Sequence, residues 1–414
     1  MNLINNRIFP VLILALILTA CTKPGLDDGP TVIKPVELPA GGAEITGSLG
    51  DFAFDFFKGV LNEDHTTTNK LVSPFSIYLA LSMVYNGADN ATRDSITHAL
   101  RLTPGDIEKL NSVCKVLIEE LPNVDNKVKL SIANSIWYKL NGPQPLQDFL
   151  TVTNQYYHAA VTPLDFNESE NSSNTINKWV ADHTNQKILK ILDGVSPDDI
   201  MYLVNAIYFK GTWKNKFEPS NTINEPFHTA DGNTVSTPFM IQENVVRYTR
   251  YNNIQAVELP YSGSAFNMYI LLPDDANKAA ETMQSLDANT FQQILNDTVP
   301  VDMKIHLPKW KSAYKLNTLE PELAYMGMDI AFSTAADFSK MYNVPVRITK
   351  SIHQTFIEVN EEGTEAAAAT VIGMGSTSSA PPPELKIDHP FIYIIAEKTS
   401  GTILFTGLVN NPAE

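Results

Sequence analysis

One stretch limits what this chain can become: Glu361-Glu362-Gly363-Thr364-Glu365-Ala366-Ala367-Ala368-Ala369-Thr370. It follows a strand-forming run, Phe356-Ile357-Glu358-Val359, and leads through Gly373-Met374-Gly375-Ser376-Thr377-Ser378-Ser379-Ala380 into the triplet Pro381-Pro382-Pro383. Four consecutive alanines favour helix on propensity alone. The flanks oppose it. Gly363 frees the backbone at one end, and the prolines forbid helix and favour extended chain at the other. What remains is a long connection whose only core-building side chains are Val371, Ile372 and Met374. Inside a compact domain such a connection is either a surface linker or a functional loop.

Read as a strand, the stretch has two unequal faces. Thr364, Ala366, Ala368 and Thr370 share one face, and Glu365, Ala367, Ala369 and Val371 the other. The first face is small and uncharged, so it can enter a packed interior without a large steric or desolvation cost. The only charge lies on the second face, where solvent can keep it. A segment built this way can exist as an exposed loop and also as an inserted central strand, the requirement of a loop-insertion switch.

The 414 residues, 43% of them hydrophobic, suffice for one large core. The formal net charge is -16 and no Lys/Arg-rich run occurs, so nucleic acid is not an expected partner. Lys115, Lys127 and Lys129 are too few, and too mixed with acidic residues, for a polyanion site. At the amino terminus, Arg7 precedes the apolar run Ile8 to Ala20, broken only by Pro10 and Thr19. The run is short of the roughly 20 residues that span a bilayer and suits a secretory signal. Its end, Leu18-Thr19-Ala20-Cys21, resembles the bacterial lipoprotein box. The resemblance implies a signal peptide over residues 1–20, acyl chains on Cys21, and export to a bacterial membrane surface, on the outer-membrane, periplasmic or cell-surface side. Residues 21–45, rich in Pro and Gly, read as an extended mobile tether, and residues 46–414 as the folded domain. Cys114 is then the single thiol of the mature chain, so no internal disulfide is available and the fold must rest on its core.

Along the domain, Leu49, Phe52, Ala53, Phe56, Phe57 and Val60 mark one face of a helix. Ser73-Pro74 reads as the N-cap and first residue of a second, nearly all-apolar helix that stops at Asn86-Gly87. Thr92 to Leu100 reads as a helix, and so do Ile176, Trp179, Val180 and Ile188. Strands are expected over Val128 to Leu140, Leu203 to Trp213, several runs between Asn244 and Pro273, Met303 to Pro308, Ile392 to Ile395 and Ile403 to Gly407. No repeat and no second domain is evident.

Catalysis has no evident seat. A serine hydrolase needs its nucleophile on an elbow such as Gly-x-Ser-x-Gly, which Gly373 to Thr377 and Gly263-Ser264-Ala265 do not supply. The eight histidines form no zinc spacing, no phosphate-cradling loop occurs, and no cofactor is expected. His353, on one strand face with Thr355, Ile357 and Val359, reads as a hydrogen-bonded core residue.

The stretch Glu361 to Thr370 resembles the hinge of the serpins in its inhibitory form, and the resemblance extends from about residue 45 to the carboxyl end. It is carried also by Ser73-Pro74-Phe75-Ser76, by Asn205 and Trp213 on one strand, by Ala336-Asp337-Phe338-Ser339, and by Pro390-Phe391 and Gly407. It implies an α+β fold: a large, mostly antiparallel central sheet, two smaller sheets, a helical cluster and an exposed reactive-centre loop over about residues 361–383. It implies that Ser73, Ser76, Asn205 and His353 form the polar shutter under the sheet centre. Trp213, Lys309 and Glu361 would form the breach at its top. The implied activity is covalent inhibition of a protease by a monomer, through loop insertion after cleavage. The family spacing puts the reactive bond at Thr377-Ser378 when counted from Gly363, and at Ser379-Ala380 when counted from the carboxyl side; Met374-Gly375 is a third candidate. No Lys or Arg stands between Gly363 and Leu385, which disfavours trypsin-like targets and suits elastase-like or subtilisin-like ones, with cysteine proteases also open. Two rival classes are a non-inhibitory serpin and a surface lipoprotein whose alanine stretch is only a linker.

Overall fold

The structure, a computed structural model, describes residues 31–364 and 381–414. Alternating burial along His353–Asn360 makes it a strand with one face inward, as the spacing of Thr355, Ile357 and Val359 requires. It belongs to a six-stranded sheet in the order Trp310–Leu316, His353–Asn360, Gly363–Thr364, Met201–Thr212, Val128–Lys139, Ala160–Leu164. Only the last pair is parallel. Met201–Thr212 and Val128–Lys139 share a long antiparallel ladder, from Val128 opposite Gly211 to Tyr138 opposite Met201.

The remaining nine strands form one sheet among the described residues. The two smaller sheets of the sequence reading meet along the 18-residue strand Thr234–Tyr251. It pairs with Ile223–His228 through its first residues, with Val299–Pro308 through its middle and with Ile254–Pro260 through its end. Phe266–Pro273, Phe391–Glu397 and Ile403–Val409 are buried along their whole length, which explains their nearly all-apolar sequences.

Helices pack into two apolar clusters, Pro74–Gly87 in the larger and Ser169–His183 in a smaller one with Trp137 and Tyr202. Gly42–Glu63 buries Phe52, Phe56, Phe57 and Val60, and Pro74–Gly87 buries nearly every residue it has. Ser73 caps the latter as expected, its hydroxyl accepting from the Ser76 N–H, an arrangement that contributes about 1 kcal/mol. Cys114 is buried in the helix Ile107–Glu120, and burial pushes its thiol up to about 12, so it is a core filler and not a reactive group.

Two boundaries differ from the sequence reading. Ile188 lies beyond the helix Ser169–His183, because the chain turns at Thr184 and Asn185 takes a left-handed conformation. The far end of the expected tether is docked: Ile33 bridges to Asp125, the Lys34 N–H donates to the Val124 carbonyl at 2.8 Å, and Val36 is buried. Pro and Gly composition signals extended chain but not whether a neighbouring backbone offers it partners.

Candidate functional site

The site is the place where Gly363–Thr364 enters the six-stranded sheet. This two-residue strand pairs on one side with His353–Asn360, Thr364 opposite Val359, and on the other with Met201–Thr212, Thr364 opposite Gly211. Gly363 is required by proximity: a Cβ there would stand 2.0 Å from the Gly211 carbonyl oxygen, and its φ of +150° disfavours other residues. Thr364 is 2% exposed, and its Oγ1 lies 2.6 Å from the Tyr261 hydroxyl. Its inward direction agrees with the parity read from sequence. Among the described residues, the two flanking strands have no ladder with each other; they are joined only through this short wedge.

Around the wedge, the Trp213 indole Nε1 donates to the Asn360 carbonyl at 2.9 Å, and the Trp213 backbone N–H donates to the Glu362 carbonyl at 2.7 Å. The indole is stacked on Tyr261 with ring centres 4.7 Å apart. Lys309 Nζ lies 2.9 Å and 3.0 Å from the two Glu361 carboxylate oxygens, and the Thr222 hydroxyl donates to Glu361 at 2.8 Å. Burial alone would raise the Glu361 pKa; the hydrogen bond from Lys309, with the others, outweighs it and holds the carboxyl below its usual range. Trp213, Lys309 and Glu361 are therefore brought together, and the pair is half shielded from water, so its worth exceeds that of a free surface pair only modestly.

Under the sheet centre lies a second polar cluster. The His353 Nε2 accepts from the Ser73 N–H at 3.0 Å, and the Ser73 hydroxyl donates to the Leu404 carbonyl at 2.7 Å. The Ser76 hydroxyl donates to Asn205 Oδ1, and Asn205 Nδ2 donates to Asn134 Oδ1 at 2.7 Å. Asn134 in turn donates to the Tyr157 carbonyl at 2.8 Å. Desolvation pushes His353 down to about 3, so it is a neutral acceptor and not a base in reserve. All four residues expected here converge. Asn134, Tyr261 and Thr222 went unread in the sequence. Asn134 had a signal, an amide in the middle of an apolar strand, but its meaning comes from standing opposite Asn205 in the ladder.

Glu365, Ala366, Ala367, Ala368, Ala369 and Thr370 of the hinge, the bond candidates Met374, Gly375, Thr377, Ser378, Ser379 and Ala380, and Cys21 lie outside the described residues. Within those that are described, no group of three or more His, Cys, Asp or Glu side chains is placed to hold a metal ion.

The family model described as serpin (serine protease inhibitor) matches residues 48–412. The chain is 34% identical to an uncharacterized serpin-like protein of Thermococcus kodakarensis over 89% of this chain and 86% of that one. It is 34% identical to the human leukocyte elastase inhibitor, covering 87% of this chain and 97% of the relative. Among solved structures, the thermophilic serpin tengpin in its native state superposes with a TM-score of 0.81 at 31% identity, over 92% of this chain and 97% of that one. Human thyroxine-binding globulin superposes with a TM-score of 0.82 at 26% identity, over 90% and 100%.

Proposed function

Since the chain belongs to the serpin family and has the serpin fold, we propose that it is a suicide-substrate inhibitor of serine-type endopeptidases and not an enzyme. The protease's nucleophilic oxygen attacks a carbonyl in the segment beyond Thr364. The amide bond breaks, the amine leaves with a proton from the protease's acid, and an ester joins the two proteins. The part of the loop before the cut then inserts between Met201–Thr212 and His353–Asn360, carrying the esterified protease with it and distorting its site before water can cleave the ester. Backbone pairing and apolar burial gained on insertion make the step one-way.

The observation that carries this reading is the wedge itself. Thr364 is already seated between two strands that, among the described residues, pair only through the short strand it belongs to, so an added strand has a start and a direction. A small inward face, with neither charge nor proline from Thr364 to Thr370, supports continuation. The absence of Lys and Arg between Gly363 and Leu385 favours elastase-like or subtilisin-like targets, with cysteine proteases as a further class, and similarity to an elastase inhibitor agrees. The reactive bond is Thr377-Ser378, with Ser379-Ala380 and Met374-Gly375 as alternatives. We propose further that the protein is exported, lipidated on Cys21 and monomeric.

Incubating the domain lacking Cys21 with an elastase tests the reading. A complex that survives denaturation, with a released peptide whose amino terminus fixes the bond, is expected. Thr364→Arg should abolish the complex while leaving cleavage intact, because a cation cannot follow Thr364 into the space beside Tyr261. Cleavage of the parent protein with neither complex nor gain in thermal stability would overturn the mechanism.

A further inference from the structure

The amino-terminal arm docks at one pole of the molecule. Four of its backbone N–H groups donate to the domain: Val32 to Asn126 Oδ1 at 2.9 Å, Lys34 to the Val124 carbonyl at 2.8 Å, Val36 to the Thr399 hydroxyl at 3.2 Å and Glu37 to Glu120 Oε2 at 2.7 Å. Thr31 and Ile33 lie against the turn at Gly263, where an added Cβ would stand 2.8 Å from a side-chain carbon of each. Asp125 is buried between arm and turn, and its Oδ2 accepts from the Gly263 N–H at 3.0 Å. The same turn borders the entry of the loop. The Ser262 N–H donates to the Thr212 carbonyl at 2.8 Å, Thr212 stands opposite Gly363, and the Tyr261 hydroxyl meets Thr364.

The other pole is the far end of the sheet, where Met201 stands opposite Tyr138, ten residues along the ladder from Gly211 and roughly 33 Å away. Thr31 therefore sits beside the hinge, and not at the pole toward which an inserted strand would run. Chain length turns this placement into an orientation. Ten peptide links join Cys21 to Thr31, so their Cα atoms are at most roughly 36 Å apart. Were the arm undocked as far as Gly41, twenty links would reach roughly 70 Å, enough to anchor the domain from either pole. With the arm docked, an inverted domain would raise Thr31 above the whole ladder and the loops beyond Met201, which uses up the reach. The formal net charge of -16 offers no attraction to an anionic leaflet that would lay the domain flat.

We propose that the docked arm turns the hinge, and the loop that follows it, toward the membrane that holds Cys21, so that the targets are proteases held on that same surface. The orientation rests on the acylation of Cys21, and the choice of targets rests also on the inhibitor reading. A protease on that surface meets the loop at the high effective concentration of a shared anchor plane. One arriving from solution must enter the gap between domain and membrane. After cleavage, insertion toward Met201 carries the trapped protease off the surface.

The full acylated chain in phosphatidylcholine vesicles tests this. Cys114 is buried and Cys21 is blocked by its acyl chains, so a single introduced cysteine takes the only dye. Asn215→Cys labels the hinge pole and Asn141→Cys the far pole, both at exposed positions. Resonance energy transfer to acceptor-bearing lipid headgroups should be several-fold greater from position 215 than from position 141. About twenty Gly/Ser residues inserted between Pro30 and Thr31 leave the arm docked but lengthen the tether, and should erase the difference. An elastase fixed to the same vesicles should be trapped several-fold faster by the parent than by the inserted variant. Equal or reversed transfer from an acylated chain would overturn the proposal and leave the acylation standing. An unacylated Cys21, read from the mass of the amino-terminal peptide, would overturn both. Loss of trapping in both proteins, with the transfer difference intact, would count against the inhibitor reading alone.

Discussion

At the scale of single residues, the site depends on what side chains lack. Gly363 is tolerated between two strands because no Cβ meets the Gly211 carbonyl. Gly363→Ala must push the wedge or the strand beside it, so it should lower stability by about 1–3 kcal/mol, the usual range for overpacking. It should also strip hydrogen-exchange protection from the Trp213 amide, which donates to Glu362. Retained protection at Trp213 would show that the wedge is not needed to close this end of the sheet. The glycine, the inward parity of Thr364 and the Lys309–Glu361 pair were legible in sequence because a family pattern and strand parity are local. The reason for the glycine was not, since the clashing carbonyl belongs to a distant strand. Tyr261, 103 residues from Thr364 in the chain, was invisible for the same cause.

At the scale of elements, the polar cluster beneath the sheet joins the start of the helix Pro74–Gly87 to the strands above it. His353 accepts from the Ser73 N–H only while neutral. Its folded pKa, about 3, lies far below the ordinary histidine value of about 6.5. In that window the unfolded chain binds a proton that the folded chain refuses, so stability falls as pH drops from about 6.5 toward 3. Urea midpoints measured across this range should decline less steeply in His353→Gln, whose amide oxygen accepts the same N–H without titrating. Parallel curves for the two proteins would remove His353 as the cause. Asp64 adds a separate acid limit. Its burial works against it, but hydrogen bonds from Thr66, Lys70 and Tyr314 bring it to about 2, so its contribution is lost only at lower pH. Helices were legible here from their apolar faces and from the Ser73-Pro74 start. The joining of two sheets along Thr234–Tyr251 was not, because strand partners are chosen by non-local pairing and not by the run itself. The docking of Ile33 and Val36 escaped for a like reason.

At the scale of the whole molecule, the two ladders of the wedge fix where an inserted strand would run. Antiparallel pairing of Thr364 with Val359 carries forward to put residue 372 level with Ser351, and residue 374 level with Thr349. Pairing of Thr364 with Gly211 independently puts the same residues level with Leu203 and Met201. All four positions line one cavity of about 400 Å³, apolar where Ile77, Leu81 and Val84 wall it and charged at Asp198, Asp199, Arg347 and Lys350. Ile372 and Met374 share the inward parity of Thr364 and are the only large apolar side chains on that face. An inserted strand therefore begins with small residues, where the sheet is tight, and ends with large ones, where there is room. Ile372→Asp tests this division. The charge leaves the first steps untouched and obstructs the last, since a carboxylate replaces the apolar side chain that would cover Ile77, Leu81 and Val84 and is costly to desolvate there. Cleavage should proceed at the parent rate, while the fraction trapped falls several-fold and the rise in melting temperature after cleavage shrinks. Ala367→Asp, on the opposite parity, should leave both nearly unchanged. Equal effects from the two substitutions, read on denaturing gels and melting curves, would mean that insertion does not follow the register set by Gly363 and Thr364.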